Sequence, residues 1–472
     1  MGSAMRVVSD AAHRLAREIR REIRERLGPN STFEQRRDAA AGLASDALWV
    51  DEEEDLRENV TTVEQVEIDD HLYQRLAQAS SATYHGRWGD HDIEEPLYRK
   101  VGVRNGPTIK PIELRVGIIK NMTPDMARIV GELGAEAGSR SVAKTLRVTG
   151  LVPPSRACIA KRTTEMGAEI ADEIETFEQF ARDAEPVPAE VGSVSCGMDR
   201  MAVRKSELID PDAPTRATRV EPYERTPPFE KEHHYRMAWV GSTSVYDKQG
   251  NVLHTWRYAD EASADPADVA RRVAKDVDWI AKAYRGVPIH CVQDGAPELR
   301  ALPEALVARL PANSNIVVLV DLEHLMGYLE KVVDACYPDG DPRDWKGWYR
   351  SLLLTDDAAI DTIWRKLRGL AKTLPGRGTA ARNAVAAALT YIRHRKSRMR
   401  YATHYAANLP IGSGATESTC WQMQQRVKLP GQSWEAGLRG VLAMRGLALS
   451  DRWLVAWQPY AAKHRKELRL VA

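Results

Sequence analysis

Cysteine is scarce in this chain of 472 residues, and it is scattered. The five cysteines (Cys158, Cys196, Cys291, Cys336 and Cys420) include no pair at CxxC spacing. That argues against a structural zinc site or a disulfide framework and fits a reducing cytosol. No apolar run approaches the ~20 residues a membrane helix needs, and the N-terminus lacks the continuous apolar core of a secretory signal. The expectation is a cytoplasmic protein with no membrane partner. The histidines show no HExxH or other paired metal spacing, which disfavours a zinc hydrolase.

Net charge is also nearly absent, at +1, in a chain with 28% charged and 43% hydrophobic residues. Such a composition belongs to an ordinary globular protein able to bury cores, and the length fits two to four domains at roughly 100–200 residues each. The small net charge conceals a segregation. Residues 46–70 hold eleven acids and one base, Arg57, whereas residues 361–405 hold eleven bases and one acid, Asp361. A solvated helix face would intersperse the two signs, so the basic stretch points to a polyanion such as double-stranded DNA. Beyond it, in "NLPIGSGATEST", Glu417 is the first acid after Asp361. A lone carboxylate in a segment built to attract anions points to a bound cation.

Along the chain, six regions follow one another. Residues 1–81 form a helical and acidic region. Leu15, Ile19, Ile23 and Leu27 recur every four residues until Gly28-Pro29 stops the helix, while "VDEEEDLRE" reads as a solvated loop or helix start. Residues 82–120 show short alternating runs broken by Gly and Pro, the pattern of a small β-ribbon. Residues 121–185 predict a helix capped by Thr123-Pro124, a second over 139–147, and a third from Ser155, followed by a long helix over 165–184. With Arg156, Lys161 and Arg162 on the third element, this is either a helix-turn-helix-like DNA-binding domain or a plain helical hairpin. Residues 186–338 alternate strands and helices. Residues 339–408 form a basic helical insertion whose Trp345, Trp348 and Trp364 are core candidates. Its Arg393, Arg395, Lys396, Arg398 and Arg400 are phosphate-contact candidates, and Tyr391, Tyr401 or Tyr405 could either pack or stack on an unpaired base. Residues 409–472 close the fold with helices.

The order in the fourth region is β-β-β-α-β-α-β-α. Three antiparallel strands joined to two parallel ones make an α/β ribonuclease H-like catalytic domain with a mixed sheet. Asp199 is placed at the end of the first strand and Asp294 at the tip of the strand after the first helix. In that fold those strands are neighbours, and the helix after "IGSG" brings Glu417 to them, its small residues permitting close approach. Three carboxylates suit Mg²⁺, or Mn²⁺, which takes hard oxygen ligands and keeps several waters. Two ions ~3.5–4 Å apart clamp the attacking and leaving oxygens of a phosphodiester. Asp199 could equally be a surface strand-end residue, and Asp294 a turn cap before Gly295. Asp321 competes with Asp294, because it also ends a strand. Asp321, His324 and Ser413 line the site, or Asp321 and His324 form a satisfied core pair.

The runs "VSCGMDRMAVR", "GSTSVYDKQGNVLHTWRYA", "CVQDGAPELR", "VVLVDLEHLMGYLEKV" and "NLPIGSGATEST" together resemble bacterial insertion-sequence DDE transposases, most closely the Kra group, related to Mutator-like elements. The resemblance spans the chain from about residue 120 onward. It implies metal-dependent cutting and joining of element ends by Asp199, Asp294 and Glu417, a homodimer or larger assembly on DNA, and a nucleoid-associated location. The 123 residues from Asp294 to Glu417 leave room for the implied helical insertion. Two departures stand out. Arg200 follows Asp199 where glycine is common, and the ribbon lacks paired cysteines, so no zinc is expected there. A structure-selective nuclease of the same fold and a non-catalytic, domesticated DNA-binding protein are the alternative readings.

Overall fold

The computed structural model describes residues 9–208, 231–337, 342–373 and 378–471. Arg377 of the basic stretch and the boundary at 338–339 lie outside them. The chain divides into two compact units, residues 1–163 with 457–472, and residues 164–456.

In the first unit, helix α1 (Asp10–Leu27) starts at Ser9, whose hydroxyl accepts the Ala12 N–H, and stops at Gly28. Of its four-residue stripe only Ile23 is buried, and Leu15 is exposed. Helix α2 (Phe33–Glu58) opens on a capping box between Thr32 and Gln35. The acidic run is neither loop nor helix start but the last turns of α2. From within the helix the Glu52 carboxylate reaches out to accept the Arg87 and Trp88 N–H groups and meet His91.

The β-ribbon is larger than the sequence suggested. Strands β1 (Gln65–Ile68), β2 (His71–His85), β3 (Asp90–Lys100) and β4 (Thr108–Ile109) form an antiparallel sheet, joined on the β1 side by the C-terminal strand Arg469–Val471. The β1–β2 turn is the pair Asp69-Asp70, both at positive φ, as a two-residue hairpin with matched twist requires. Helices α3 (Pro124–Glu136), α4 (Ser139–Val148) and α5 (Arg156–Asp172) follow, with Thr123 and Pro124 starting α3 as expected. The single helix expected over 165–184 is two. At Glu173 the backbone leaves helical geometry (φ −122°, ψ 20°), its N–H closes on the Ile170 carbonyl, and α6 (Ile174–Ala184) begins.

The second unit is mixed α/β. It holds β5 (Ser193–Leu208), β6 (Lys231–Tyr246), β7 (Val252–Asp260), α7 (Pro266–Ala283), β8 (Ile289–Gln293), α8 (Ala301–Arg309), β9 (Ile316–Val320) and α9 (Leu322–Cys336). The sheet order is β7-β6-β5-β8-β9, with β6 antiparallel to both its neighbours and β8 and β9 parallel to β5. Adjacent residues of β6 point to opposite faces, and both faces are covered. At Gly241 an added Cβ would sit 2.8 Å from Val273 of α7. Next to it, Ser242 Oγ lies 2.7 Å from Thr416 Oγ1 on α14 (Gly414–Val427). The α7–α8 face packs Val269, Val273, Val277, Ile280, Leu302 and Leu306 on Trp256, Tyr258, Ile289 and Cys291.

Between β9 and α14, helices α9, α10 (Pro342–Thr355), α11 (Ala359–Lys372) and α12 (Thr379–Arg393) share a core of Leu329, Val333, Leu353, Ile363, Leu367, Val385 and Ile392. A short α13 (Ala402–Ala406) follows, and α15 (Leu438–Leu449) comes after α14. Trp364 packs on this core, but Trp345 and Trp348 are not inside it. They are 36% and 38% exposed and lie edge to face with each other, with Trp345 stacked on Tyr337.

Candidate functional site

Asp199 does not end its strand. Strand β5 continues to Leu208 because β6 pairs with it along its whole length. The partner that ends is β8, which pairs with β5 only at residues 194–196. Following that register three residues further sets Asp199 level with Asp294. The β8–β9 register, Gln293 opposite Val320, sets Asp294 level with Asp321. Three adjacent strands thus deliver three aspartates to one edge of the sheet, where β8 and β9 have run out and β5 projects beyond them. Parallel strands share this C-terminal edge, and ligands of open α/β sheets bind there.

Each aspartate is held differently. Asp294 Oδ1 accepts the Ala296 N–H at 2.7 Å, a turn completed by Gly295 at φ 80°. The Asp294 carbonyl takes the Tyr391 hydroxyl at 2.8 Å, and the Gly295 carbonyl takes Arg395 Nε at 3.0 Å, with the Arg395 guanidinium 4.5 Å over the Tyr391 ring. Asp199 Oδ1 accepts the Arg200 N–H at 2.7 Å, and its Oδ2 faces Cys420 Sγ at 3.7 Å. Burial, then the neighbouring Asp294 charge, raises the Asp199 carboxyl above its ordinary range. Asp321 is 1% exposed, and both its oxygens are in use. Oδ1 caps α9 by accepting the His324 N–H at 2.7 Å, and Oδ2 accepts the Ser413 N–H. Burial alone would raise this carboxyl, but the bonds from His324 and Ser413 bring it down to about 2. The Asp321 partnership in turn raises His324, with Asp294 and Asp199 adding to the effect.

Glu417 reaches this edge on the first turn of α14. Its Oε1 accepts the Ser413 hydroxyl at 2.9 Å, and its side chain is exposed. The helix start is seated tightly, since a Cβ on Gly197 of β5 would lie 2.4 Å from Thr416 Oγ1 and 2.7 Å from the Val292 carbonyl. Ligand atoms of Asp321, His324 and Glu417 lie within 4.8 Å of one another, the one such group of three among the described residues. Asp199 and Asp294 are not members of that group, although both interact electrostatically with His324. By accepting the Ser413 N–H, Asp321 also ties the start of α14 to the end of β9. Asp199, Asp294 and Glu417 each accept at least one hydrogen bond as well, and a carboxylate oxygen that accepts one bond still has a second lone pair.

The basic candidates separate into two kinds. Arg393 and Arg400 are exposed, as are Arg156 and Lys161 on α5, with Arg162 half-buried. Arg395 instead holds the loop after Asp294. Lys396 pairs with Asp361 and lies 5.2 Å over Trp364. Arg398, half-buried, is lowered by burial and by the charges of Arg395 and Arg300. Tyr391 and Tyr401 are buried hydrogen-bond donors, to Asp294 and Val320, and only Tyr405 is exposed. Cys420, Gly197, Thr416 and Ser242 were not singled out from the sequence. Gly197 alone carried a signal there, a glycine two residues before a strand aspartate. A surface cavity of about 470 Å³, lined by Asp278, Gly286, Asn313 and Asn315, lies at the opposite ends of β8 and β9.

No known protein family matches the chain, and no curated protein or solved structure matches it either.

Proposed function

We propose that this chain is a DDE transposase: a ribonuclease H-like enzyme that binds element ends in double-stranded DNA, cuts them and joins them to a target. The observation that carries the reading is the placement of Asp199 and Asp294 level with each other on adjoining parallel strands, with Glu417 brought to the same edge by the first turn of α14. The strand order β7-β6-β5-β8-β9 with one antiparallel neighbour on either side of β6 supports the fold assignment.

The donor set fits a hard divalent cation, because Asp199, Asp294 and Glu417 offer carboxylate oxygens. Asp199, Asp294 and Glu417 would hold Mg²⁺ or Mn²⁺ there, two ions in all, which when bound activate the attacking oxygen and stabilise the leaving one. The chain's own residues do the rest. Cys420 and Arg200 orient the Asp199 carboxylate. Tyr391 and Arg395 fix the loop that carries Asp294. Ser413 orients Glu417, and Asp321 holds Ser413. His324, favoured in its charged form, faces the acids and offsets part of their repulsion toward a phosphate. Arg393 and Arg400 contact DNA backbone without reading sequence. Joining two ends calls for two copies of the chain, so the working form is a homodimer or larger assembly on nucleoid DNA.

The test is nicking of supercoiled DNA carrying candidate ends in Mg²⁺ or Mn²⁺, followed by a joining assay with 3′-hydroxyl ends. Transposase chemistry predicts both activities, lost together in Glu417→Gln and Asp294→Asn with DNA binding retained. Nicking without joining would mark a nuclease of the same fold. Tight binding with no nicking would mark a DNA-binding protein.

A further inference from the structure

Helices α1 and α2 of the first unit form a groove walled by arginine. A concavity of about 430 Å³ lies between them, lined by Arg20 and Arg24 of α1 and by Arg36 and Arg37 of α2. A second, of about 360 Å³, shares Arg20 and Arg24 and adds Arg17 and Arg21. Six arginines therefore line one continuous groove, and the only acid in its lining is Glu25. Helix α1 buries a single residue, Ile23. A helix that polar and that little covered gains stability when a partner lies on it.

The arginines are not spent within the fold. Arg17, Arg20, Arg21 and Arg24 are exposed. Among the described residues the one ion pair on α1 joins Arg26 Nε to Glu22 Oε1 at 3.8 Å, and Arg26 is not part of the groove lining. The two α2 arginines are held in place yet keep donors. Arg36 Nη1 donates to the Ser31 carbonyl and lies 3.3 Å from Ser31 Oγ, which leaves the other N–H groups of the guanidinium. Arg37 lies 5.4 Å over the Phe33 ring. That contact engages the face of the guanidinium and leaves its in-plane donors for an anion.

The chemistry selects phosphate. No lysine occurs before Lys100, so every cation of these helices apart from histidine is a guanidinium, the group whose planar fork matches phosphate oxygens two at a time. From Arg17 to Arg24 the row runs roughly 10 Å along the helix axis at 1.5 Å per residue. One phosphate group is shorter than that, whereas successive phosphates of a strand, ~3.4 Å apart along the duplex axis, fill it. A protein partner needs an apolar centre. Here the exposed ring of Phe33 is already engaged by Arg37.

We propose that the α1–α2 groove is a binding surface for the phosphate backbone of double-stranded DNA, separate from the basic insertion. It is carried by the first unit alone and does not rest on the carboxylate edge. Binding of a labelled duplex by full-length protein is measured by fluorescence anisotropy across a salt series. Arg17→Ala, Arg20→Ala and Arg24→Ala combined should reduce the log–log salt slope by about two to three, at ~0.9 per phosphate contact. Arg26→Ala, on the same helix but outside the groove, should leave the slope unchanged. Glu417→Gln should keep the full slope, so failure of the carboxylate site and failure of this surface are read separately. All these positions are exposed, and melting curves should match the wild type. A wild type that does not bind the duplex, an unchanged slope in the triple variant, or an equal drop per residue in Arg26→Ala would overturn the proposal. So would a drop confined to an RNA duplex of the same sequence. Loss of a self-associated form in the triple variant, seen by sedimentation with the DNA slope unchanged, would assign the groove to a second copy of the chain instead.

Discussion

Gly197 is the residue on which the seat of α14 depends. Any side chain there meets both Thr416 and a backbone carbonyl, Val292, which cannot swing aside. Gly197→Val is expected to destabilise the protein by about 1–3 kcal/mol, as overpacking does, measured as a lower urea midpoint. It should also abolish nicking in the fraction that stays folded, because Glu417 rides on the displaced turn. The Tyr391 hydroxyl is a subtler case, with one bond to the Asp294 carbonyl. Tyr391→Phe should cost about 1 kcal/mol and slow nicking more than it weakens DNA binding, which separates loop positioning from phosphate contact. Asp199, Asp294, Asp321 and Glu417 all stand out in the sequence, but what distinguishes Asp321 from Asp294 does not. Its sequence setting, a strand ending in aspartate, is the same as that of Asp294. Only the packing shows one oxygen capping α9 and the other taken by Ser413.

At the scale of elements, α6, α7 and the loop before the last helix, Trp453–Ala462, are bound by a buried ion network. Asp276 of α7 is fully buried and takes Arg452 Nη1 and Nη2 at 2.8 Å each, Arg182 Nη1 at 3.4 Å and the Tyr258 hydroxyl. Burial alone would raise the Asp276 carboxyl, but Arg452 foremost and then Arg182 hold it below its ordinary value. A lowered folded-state pKa gives stability that is present above the unfolded value, near 3.9, and lost as pH falls through the folded one. Acid unfolding of the wild type should therefore steepen below about pH 4. Asp276→Asn should lose about 3–5 kcal/mol at neutral pH, since it strands buried guanidinium groups, and flatten that acid limb. Guanidinium unfolding across a pH series reads both. The elements themselves were largely legible, because Pro124, Asp265-Pro266 and the alternating strand runs carry local signals. What was not legible came from distant partners. The sheet of the first unit borrows a strand from the chain's end, β5 outruns Asp199 because β6 pairs with it to Leu208, and the acidic run stays helical because Glu52 finds the β2–β3 turn.

For the whole molecule, the segregation of charge is a statement about association. The 11 bases in residues 361–405 are not equivalent, since Arg395 and Lys396 are engaged within the fold while Arg393 and Arg400 are exposed. DNA affinity should fall steeply with salt, and Arg393→Ala and Arg400→Ala should each reduce the log–log salt slope by about one. Lys396→Ala should leave the slope unchanged and lower stability instead. Fluorescence anisotropy with a labelled duplex across a salt series distinguishes the two. The acid-poor texture announced a basic surface, but which bases face solvent depended on Asp361, Trp364 and the Gly295 carbonyl, partners remote in sequence from most of them.

In the proposed function, Asp199, Asp294 and Glu417 act as one cation-holding unit for phosphodiester chemistry. It is tested most directly by the Mn²⁺-dependent rate of nicking supercoiled DNA for wild type, Asp199→Asn, Asp294→Asn and Glu417→Gln, with duplex binding measured on the same preparations. Nicking by the wild type alone, with equal binding by all four, is the expected result. Nicking that persists in any of the three variants at the wild-type rate would contradict it.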